Sequence, residues 1–299
     1  MKRKDMIYFY EFVENNFLFR QLNVDDVLFT AYDCPLEGSP VDYYVQKNYF
    51  CYVHVGGGRW KTPTKEYTFK AGDAAFLKKG AHRVYKILNG DFCALLIFVP
   101  DEFIASVMKN ECRLNSNGTK IKFTDSVIPL NLDKTLKDYF ETLLSYFSLK
   151  TPPSKSLLNV KFKELIINVV TSGYNPEATN CFMEISLNGK RALKPIMEEH
   201  FIFNLKLKQF AKLSGRSLAT FNRDFFKLYK MTPARWLKKK RLEYGKFLLE
   251  TTDMNINEIA LDIGFENTSH FIKSFKVYYN NSPLRFKKSL EHKKTLAIA

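Results

Sequence analysis

Two segments in the last third of the chain repeat the same arrangement of small, glycine and aromatic residues. Ala211 stands four residues before Gly215 in the first segment, and Ala260 stands four residues before Gly264 in the second. A small residue lets two helices cross closely. A glycine four residues later can take the left-handed conformation that ends a helix and turns the chain sharply. Each segment is therefore predicted to form two short helices joined by a tight turn.

The second helix of each copy carries aromatic residues four positions apart. After a single-residue insertion the copies align at Phe221 with Phe271, Phe225 with Phe275, Tyr229 with Tyr279, and Pro233 with Pro283. Aromatic side chains at this spacing bury one stripe of a helix and leave the intervening residues facing outward. Ser217 can cap this helix in the first copy, and Asn267 or Thr268 can do so in the second. The pattern indicates tandem helix-turn-helix units, a motif whose second helix enters the major groove of DNA.

The segment between the two copies, residues 232–249, predicts one continuous helix. Thr232 is a favourable N-cap residue and Pro233 a favourable first helical residue. About 18 helical residues would span about 27 Å, which is near the ~34 Å between successive major-groove faces on one side of a duplex. Such a helix would hold two reading heads in neighbouring grooves.

Positive charge is concentrated in the same part of the chain. Of a formal net charge of +15, residues 188–299 carry an excess of 13, with 23 Lys and Arg against 10 Asp and Glu. The first 187 residues carry an excess of 2, with 23 basic against 21 acidic residues. This asymmetry is typical of a polyanion-binding domain joined to an ordinary one. Charge alone does not separate nucleic acid from a membrane surface, whereas the helix-turn-helix pattern favours double-stranded DNA.

Cysteine spacing and the lengths of the apolar runs set further bounds. The five cysteines lie far apart with no Cys-x-x-Cys pair, so a reducing cytoplasm is favoured over a disulfide framework or a zinc site. No stretch approaches the ~20 uninterrupted apolar residues of a membrane span. The basic and then apolar start is followed by no small-residue cleavage site. We therefore expect a cytoplasmic protein with no membrane partner.

The N-terminal half predicts a strand-rich region followed by a helical hairpin. Short alternating runs broken by turn residues favour a small antiparallel barrel or sandwich. These runs cover residues 49–55, 66–69, 74–77, 83–87 and 92–99, with a break at Gly56-Gly57-Gly58. Apolar stripes predict amphipathic helices over 132–149 and 155–170, separated by Thr151-Pro-Pro-Ser154. The stripes either cover the adjacent sheet or form a dimer contact, and the pattern leaves both open.

The basic end resembles the AraC/XylS family of transcriptional regulators over about its last 110 residues. The second copy and the connecting helix carry the family's pattern at Ile256, Ile259, Ala260, Gly264, Phe265, Phe271, Phe275, Lys276, Pro283, Phe286 and Lys287, and at Arg241, Leu242, Leu248, Leu249 and Thr252. The resemblance implies a sequence-specific DNA-binding regulator, more commonly an activator.

Two positions depart from the family. Gly245 stands where the family usually has alanine and should soften the connecting helix by up to ~1 kcal/mol. Tyr279-Asn-Asn replaces the usual glycine-containing turn.

The resemblance also implies which residues contact DNA. In the first copy they are Ser217, Ala219, Thr220, Asn222 and Arg223, and in the second Thr268, Ser269, His270, Ile272 and Lys273. Ala219 offers only a methyl contact, as to thymine, while Asn222 suits adenine and Arg223 suits guanine or phosphate. Lys239, within Lys238-Lys-Lys240, is expected to contact phosphate, although part of this run is ordinary surface.

The N-terminal half resembles the cupin-type sensor half of the same family, because Gly72–His82 is similar to the second cupin motif. A metal-binding cupin also needs a His-x-His cluster and a carboxylate on neighbouring strands, and only His54 lies near. We therefore expect no metal and no cofactor, with His82 structural or ligand-facing. The resemblance implies an effector, either a small molecule or, as in the branch that regulates secretion genes, a regulatory protein. The residues do not choose between them.

Together these patterns predict an α+β protein with an N-terminal cupin-like antiparallel β domain and a C-terminal all-α domain. Residues 1–175 would form the regulatory and dimerisation domain, 176–188 a linker, 189–290 the double helix-turn-helix domain and 291–299 a basic tail. The expected partners are double-stranded DNA, RNA polymerase, an effector bound to residues 1–175 and, as an option, a second copy of the chain. A cupin-fold enzyme would need metal ligands that the sequence lacks, so no enzyme is expected. An RNA-binding protein would interleave aromatic and basic residues on strands, whereas here these residues lie in helix-turn-helix positions.

Overall fold

The structure of the protein is a computed structural model that describes residues 6–33, 40–86, 92–112, 125–187 and 191–298. The chain divides into two compact units, one spanning Ile7–Gly189 and the other containing Lys190–Ala299. Residues 188–190, where the predicted linker meets the predicted DNA-binding domain, lie outside the described residues. In the part of the chain that is described, no helix is long and apolar enough to cross a membrane.

Two sheets build the N-terminal unit. Their strands are β1 (Ile7–Tyr8), β2 (Arg20–Val24), β3 (Val27–Asp33), β4 (Val41–Val45), β5 (Asn48–Val55), β6 (Gly57–Lys61), β7 (Glu66–Lys70), β8 (Ala74–Leu77), β9 (Gly80–Lys86), β10 (Cys93–Val99) and β11 (Val127–Leu130). The strand order is β1-β4-β9-β6-β7 in the first sheet and β11-β8-β5-β10-β3-β2 in the second. Among the described strands, β1 and β4 pair in parallel and the other pairs are antiparallel.

An inner core fills the space between the two sheets. The first sheet contributes Tyr43 and Trp60, and the second contributes Tyr49, Cys51 and Leu96. Successive residues of a strand face opposite sides of a sheet, so the alternate residues of β5 face the other way, toward the helices. β5 is buried on both faces for this reason, and its sequence is an almost unbroken apolar run.

In the described residues of this unit, five helices accompany the sheets: α1 (Phe9–Glu14), α2 (Asp101–Asn110), α3 (Lys134–Tyr146), α4 (Lys155–Thr171) and α5 (Pro176–Leu187). Asp133 caps α3 by accepting from the Leu136 amide, and Ser154 caps α4 by accepting from the Leu157 amide. The predicted apolar stripes of α3 and α4 belong to a helix-side core that covers the second sheet, and it includes Phe140, Leu143, Phe162 and Leu165. These stripes therefore cover the sheet, which was one of the two roles left open by the sequence.

The segment 176–188, predicted as a linker, is the helix α5 over almost its whole length. Pro176 begins the helix. The preceding Asn175 is buried, and its Oδ1 accepts from the Asn131 amide at 2.8 Å. The apolar face of α5 is buried in the helix-side core, with Phe182 ring centroids 6.0 Å from Phe50 and 4.9 Å from Phe76. An amphipathic helix with a sheet to cover is more stable than an open linker, so the predicted linker was wrong here.

The predicted break at Gly56-Gly57-Gly58 is confined to one residue. Gly56 has a left-handed backbone with φ of 75°, whereas Gly57 and Gly58 already belong to β6. A Cβ on Gly58 would lie 2.8 Å from the ring of Trp60, so glycine is required by a close aromatic neighbour and not by a turn.

The C-terminal unit is entirely helical where it is described. Its helices are α6 (Leu193–His200), α7 (Leu207–Leu213), α8 (Leu218–Tyr229), α9 (Pro233–Thr251), α10 (Ile256–Asp262), α11 (Thr268–Tyr279) and α12 (Pro283–Ile298). We call α7 and α8 the first head, and α10 and α11 the second head. The predicted tail from residue 291 continues the backbone of α12 as far as Ile298. The predicted α+β fold is confirmed, with antiparallel sheets and a helical hairpin followed by two helix-turn-helix units and a connecting helix.

Candidate DNA interface

The two heads turn at their glycines, as the repeat predicted. Gly215 has φ of 66° and Gly264 has φ of 87°, both in the left-handed region. The following amides close the same hydrogen bond in each head, from Arg216 to the Ala211 carbonyl and from Phe265 to the Ala260 carbonyl, both at 3.0 Å. This bond is made to a carbonyl in the last turn of the first helix, as is typical where a helix ends at a left-handed glycine.

The second helix of each head begins at a side-chain cap. Ser217 Oγ accepts from the Thr220 amide at 3.2 Å, and Asn267 Oδ1 accepts from the His270 amide at 2.8 Å. Of the two cap candidates in the second copy, Asn267 is therefore the cap and Thr268 is the first helical residue. These caps fix where each reading helix starts, and hence which residues stand on its first exposed turn.

Equivalent aromatic rings anchor both reading helices at almost the same distances. Ring centroids of Phe221 and Phe225 lie 5.8 Å apart in the first head, and those of Phe271 and Phe275 lie 5.6 Å apart in the second. All four rings are fully buried. The next ring along each helix, Tyr229 or Tyr279, follows at 4.5 and 4.6 Å. The residues that repeat in the sequence therefore pack in the same way in both heads.

With one stripe buried, the opposite face of each reading helix is open. The predicted contact residues lie on this face: Ser217, Ala219, Asn222, Arg223, Ser269, His270, Ile272 and Lys273 are exposed, while Thr220 and Thr268 are half-buried. The Arg223 side chain is 75% exposed, with Asp224 Oδ1 3.8 Å from its Nε. It is therefore free to reach a base edge or a phosphate.

The lysine run at the start of α9 divides into two parts. Lys238 and Lys239 are exposed, and Lys239 Nζ lies 3.8 Å from Glu243 Oε1 on the same helix. Lys240 instead pairs with Glu198 of α6 at 3.0 Å and lies over the Trp236 ring. Lys239 thus remains a candidate for phosphate contact, whereas Lys240 has a structural role within the unit.

Gly245 departs from the family for a reason that the structure supplies. A Cβ at this position would lie 2.8 Å from Ile263 Cδ1 and 3.2 Å from the ring of Phe271. The glycine brings α9 closer to the second head than an alanine would, so the predicted cost in helix propensity comes with tighter packing.

Two arginines that sequence reasoning assigned no role bind backbone carbonyls. Arg216 donates to the carbonyls of Arg191 at 2.7 Å and Ser214 at 2.9 Å, and it pairs with Asp224 at 3.1 Å. Arg241 donates to the carbonyls of Phe201, Phe203 and Gly264. Both arginines count toward the positive charge of the basic end, and the structure shows that donors of each are used inside the protein.

Two family models match the chain in the regions just described. A model described as the ExsA N-terminal regulatory domain matches residues 48–181, and one described as a helix-turn-helix domain matches residues 210–289. The virulence regulon transcriptional activator VirF of Yersinia enterocolitica is 24% identical over 226 residues, covering 75% of this chain and 83% of VirF. The chain carries an AraC-type helix-turn-helix domain and is similar to transcriptional regulators of the AraC/XylS family.

Other relatives of the chain match a smaller part of it or share less sequence identity. The HTH-type transcriptional regulator ExsA of Pseudomonas aeruginosa is 30% identical over 134 residues, which cover 45% of this chain and 48% of ExsA. Among solved structures, ToxT from Vibrio cholerae is 15% identical, with 87% of this chain and 97% of that chain covered and a TM-score of 0.42.

The predicted ligand candidates of the N-terminal unit lie in different surroundings. His54 is exposed at the end of β5, whereas His82 is buried and stacks on Tyr43 at 5.4 Å. Its Nε2 donates to the Lys78 carbonyl at 2.7 Å, and burial lowers the pKa of His82 to about 4. Within the described residues, no group of three or more His, Cys, Asp and Glu side chains is placed to hold a metal ion.

A cavity of about 160 Å³ opens beside the helix-side core of the N-terminal unit. It is lined by Val24, Asp25, Asp26, Val27, Pro100, Glu102, Phe103, Asn159 and Phe162. It is smaller than the ~300–1,000 Å³ of a typical pocket for a drug-sized ligand.

Proposed function

We propose that the protein is a transcriptional activator that reads two neighbouring major grooves of double-stranded DNA, one with α8 and one with α11. The observation that supports this most is the repeated packing of the two heads, each of which leaves one face of its reading helix exposed. A helix fits the major groove, where each base pair offers a distinct pattern of donors and acceptors. The excess of 13 positive charges over residues 188–299 supplies the attraction to phosphate.

In this proposal Asn222 and Arg223 read base edges in the first groove, and Ile272 and Lys273 occupy the equivalent positions in the second. The caps Ser217 and Asn267 place helix N-termini toward the phosphates beside each groove. The exposed Lys239 contributes a phosphate contact that carries no sequence information. Activation then requires contact with RNA polymerase, and the protein acts without catalysis or a cofactor in the cytoplasm, alone or as a homodimer.

The N-terminal unit is proposed to control DNA binding through an effector. The match to the ExsA N-terminal regulatory domain supports a regulatory role for residues 48–181. The effector is a small molecule or a protein partner, and the cavity beside the helix-side core is by itself too small for a drug-sized molecule. An effector must bind two states of the protein with different affinity, so occupancy of the promoter should change when residues 1–187 are removed. Identical occupancy under all growth conditions would refute the regulatory role.

Binding of the full chain to DNA is the direct test. We expect the chain to prefer duplexes that it selects from a random pool, with affinity falling about 100-fold or more between roughly 50 and 200 mM salt because bound phosphates release counterions. Arg223→Ala should cost roughly 1–3 kcal/mol on the selected site and relax the choice at one base pair. Lys239→Ala should weaken selected and random duplexes equally. If both variants lower the affinity for the selected and the random duplex by the same factor, Arg223 does not read a base. If selection yields no preferred sequence, the chain does not recognise specific DNA.

A further inference from the structure

The α6–α7 connection, which leads into the first head, touches the second head directly, so the heads are joined here as well as through α9. The connection between α6 and α7 lies against the turn of the second head, since a Cβ on Gly264 would come within 2.5 Å of the Ile202 carbonyl oxygen. Beside this contact, Asn204 Nδ2 donates to Glu266 Oε1 at 3.2 Å. Ile202 is fully buried, so the contact excludes water at this residue. We call residues 201–204 and 264–266 the interhead contact.

Arg241 of α9 lies at the centre of the interhead contact. Its Nε donates to the Phe201 carbonyl at 2.6 Å and its Nη2 to the Phe203 carbonyl at 2.6 Å, both in the α6–α7 connection. Its Nη1 donates to the carbonyl of Gly264 at 3.0 Å, in the turn of the second head. One guanidinium thus binds backbone atoms on both sides of the contact and belongs itself to the helix that joins the heads.

The chemistry of this site favours arginine over any other side chain. A guanidinium is a rigid planar fork, and here three of its nitrogens address three carbonyls at once, which the single ammonium of lysine cannot do in the same geometry. Partial burial lowers the pKa of Arg241 to about 10, while the nearby Glu266 carboxylate opposes the shift. The group therefore remains charged at neutral pH, and its hydrogen bonds to the carbonyls are charge-assisted.

The connecting helix alone does not fix how the heads are oriented. Its 19 residues set a separation of about 28 Å. Gly245, one turn after Arg241, lacks a side chain and lowers the helix propensity of this region, so α9 by itself would tolerate bending. The interhead contact is a second connection between the two heads, in addition to α9. With both connections in place, the heads can no longer rotate relative to each other as they could if α9 alone joined them.

We propose that Arg241 is a positioning residue that fixes the orientation of α8 relative to α11 and thereby sets the spacing of the two DNA boxes that the protein accepts. The proposal rests on the proposed function, because it concerns how two heads share one site. It makes the interhead contact a determinant of specificity at a place that touches no base. A chain without it should still read each box and should tolerate boxes at the wrong separation.

The test measures affinity of the full chain for a selected duplex and for the same duplex with base pairs inserted between the two boxes. Five inserted base pairs turn the second box about half a helical turn away. The wild-type chain should then lose the second head's contribution, about 30-fold or more in affinity. Arg241→Lys and Arg241→Met should reduce that ratio to under about 5-fold, chiefly by weakening binding at the native spacing. Lys239→Ala should weaken both duplexes equally and keep the wild-type ratio.

The outcomes separate this inference from the proposed function. If no duplex is selected, recognition of DNA fails and the inference fails with it. If the wild-type chain binds specifically but ignores spacing, or if a cooperatively unfolding Arg241→Lys chain keeps the wild-type ratio, the inference alone is overturned. If both Arg241 variants lose cooperative unfolding, the exposed partner pair decides. Asn204→Ala and Glu266→Ala should then lower the ratio in the same direction, and an unchanged ratio in both contradicts the role of the interhead contact.

Discussion

Gly264 combines a left-handed backbone with the close approach of another segment of the chain. Its φ is 87°, and the Ile202 carbonyl oxygen and Arg241 Cζ lie 2.5 and 3.1 Å from the position of a Cβ. Gly264→Ala therefore adds a clash with backbone atoms to the conformational cost. We expect it to lower the free energy of unfolding of the C-terminal unit by more than about 3 kcal/mol, measured by urea denaturation.

Gly72 offers a matched control in which only the backbone conformation is at issue. Its φ of 89° is nearly the same, and no atom lies within 4 Å of a Cβ there. Gly72→Ala should cost the N-terminal unit about 1–2 kcal/mol, the strain of a left-handed alanine alone. Equal costs at the two glycines would show that the Ile202 segment moves away freely and that the interhead contact is loose.

His82 should make the N-terminal unit sensitive to acid. Burial among Tyr43 and Tyr49 lowers the pKa of His82 to about 4, although the Lys78 carbonyl and Asp125 oppose the shift. An unfolded histidine has a pKa of about 6.5, so below that pH the unfolded chain takes up a proton that the folded chain does not bind until about pH 4. Stability present at pH 7 is thus lost as the pH falls through this window, by about 2 kcal/mol at pH 5.

The variant His82→Gln isolates this contribution from the other groups that titrate in acid. The difference in unfolding free energy between pH 7 and pH 5 should shrink by about 2 kcal/mol in His82→Gln. The exposed His54 provides the comparison, since His54→Gln makes the same substitution outside the buried core. An unchanged pH dependence in His82→Gln would mean that the buried imidazole accepts a proton without cost.

Among the elements, the two reading helices end in the same unusual way. Lys230 and Asn280 follow α8 and α11 with φ of 54° each, and neither is glycine. Lysine is strained in this region, whereas asparagine tolerates it. Lys230→Gly should therefore stabilise the first head by about 0.5–1 kcal/mol, and Asn280→Gly should change the second by less than ~0.5 kcal/mol. Thermal unfolding measures both changes. Lys230→Ala is the control, because alanine keeps the strain of the left-handed backbone. A Lys230→Gly variant less stable than the wild type would contradict the strain at Lys230.

An element could be predicted from the sequence when the residues that define it lie close together along the chain. The heads were predictable because Ala, Gly and Phe spacings lie within one copy and occur twice. α5 was missed because Ser172-Gly-Tyr-Asn-Pro176 is typical of a turn, although Asn175 and Pro176 also suit a helix start and Ala178, Cys181, Phe182 and Ile185 form a stripe. The partners of Arg241 are backbone carbonyls, which no sequence pattern reports.

On the scale of the whole molecule, α5 decides where the chain can be divided. Its apolar face completes the helix-side core of the N-terminal unit, so a fragment ending at residue 175 loses that face while a fragment ending at 187 keeps it. We expect fragment 1–187 to unfold cooperatively and fragment 1–175 to be at least ~4 kcal/mol less stable or insoluble. Phe182→Ala in the full chain is the matched single change and should cost about 3–5 kcal/mol. Equal stability of the two fragments would mean that α5 only rests on the sheet.

The two heads share their packing but not their outer faces. The residues Ala219, Asn222 and Arg223 of one correspond to Ser269, Ile272 and Lys273 of the other. Regulators that pair two identical heads by two-fold symmetry read palindromes, which look the same from either strand. A single chain with two unlike heads recognises a site that has a left and a right end. Inverting such a site keeps every base contact and turns the bound protein around, so the sequence tells the protein which way to face along the promoter.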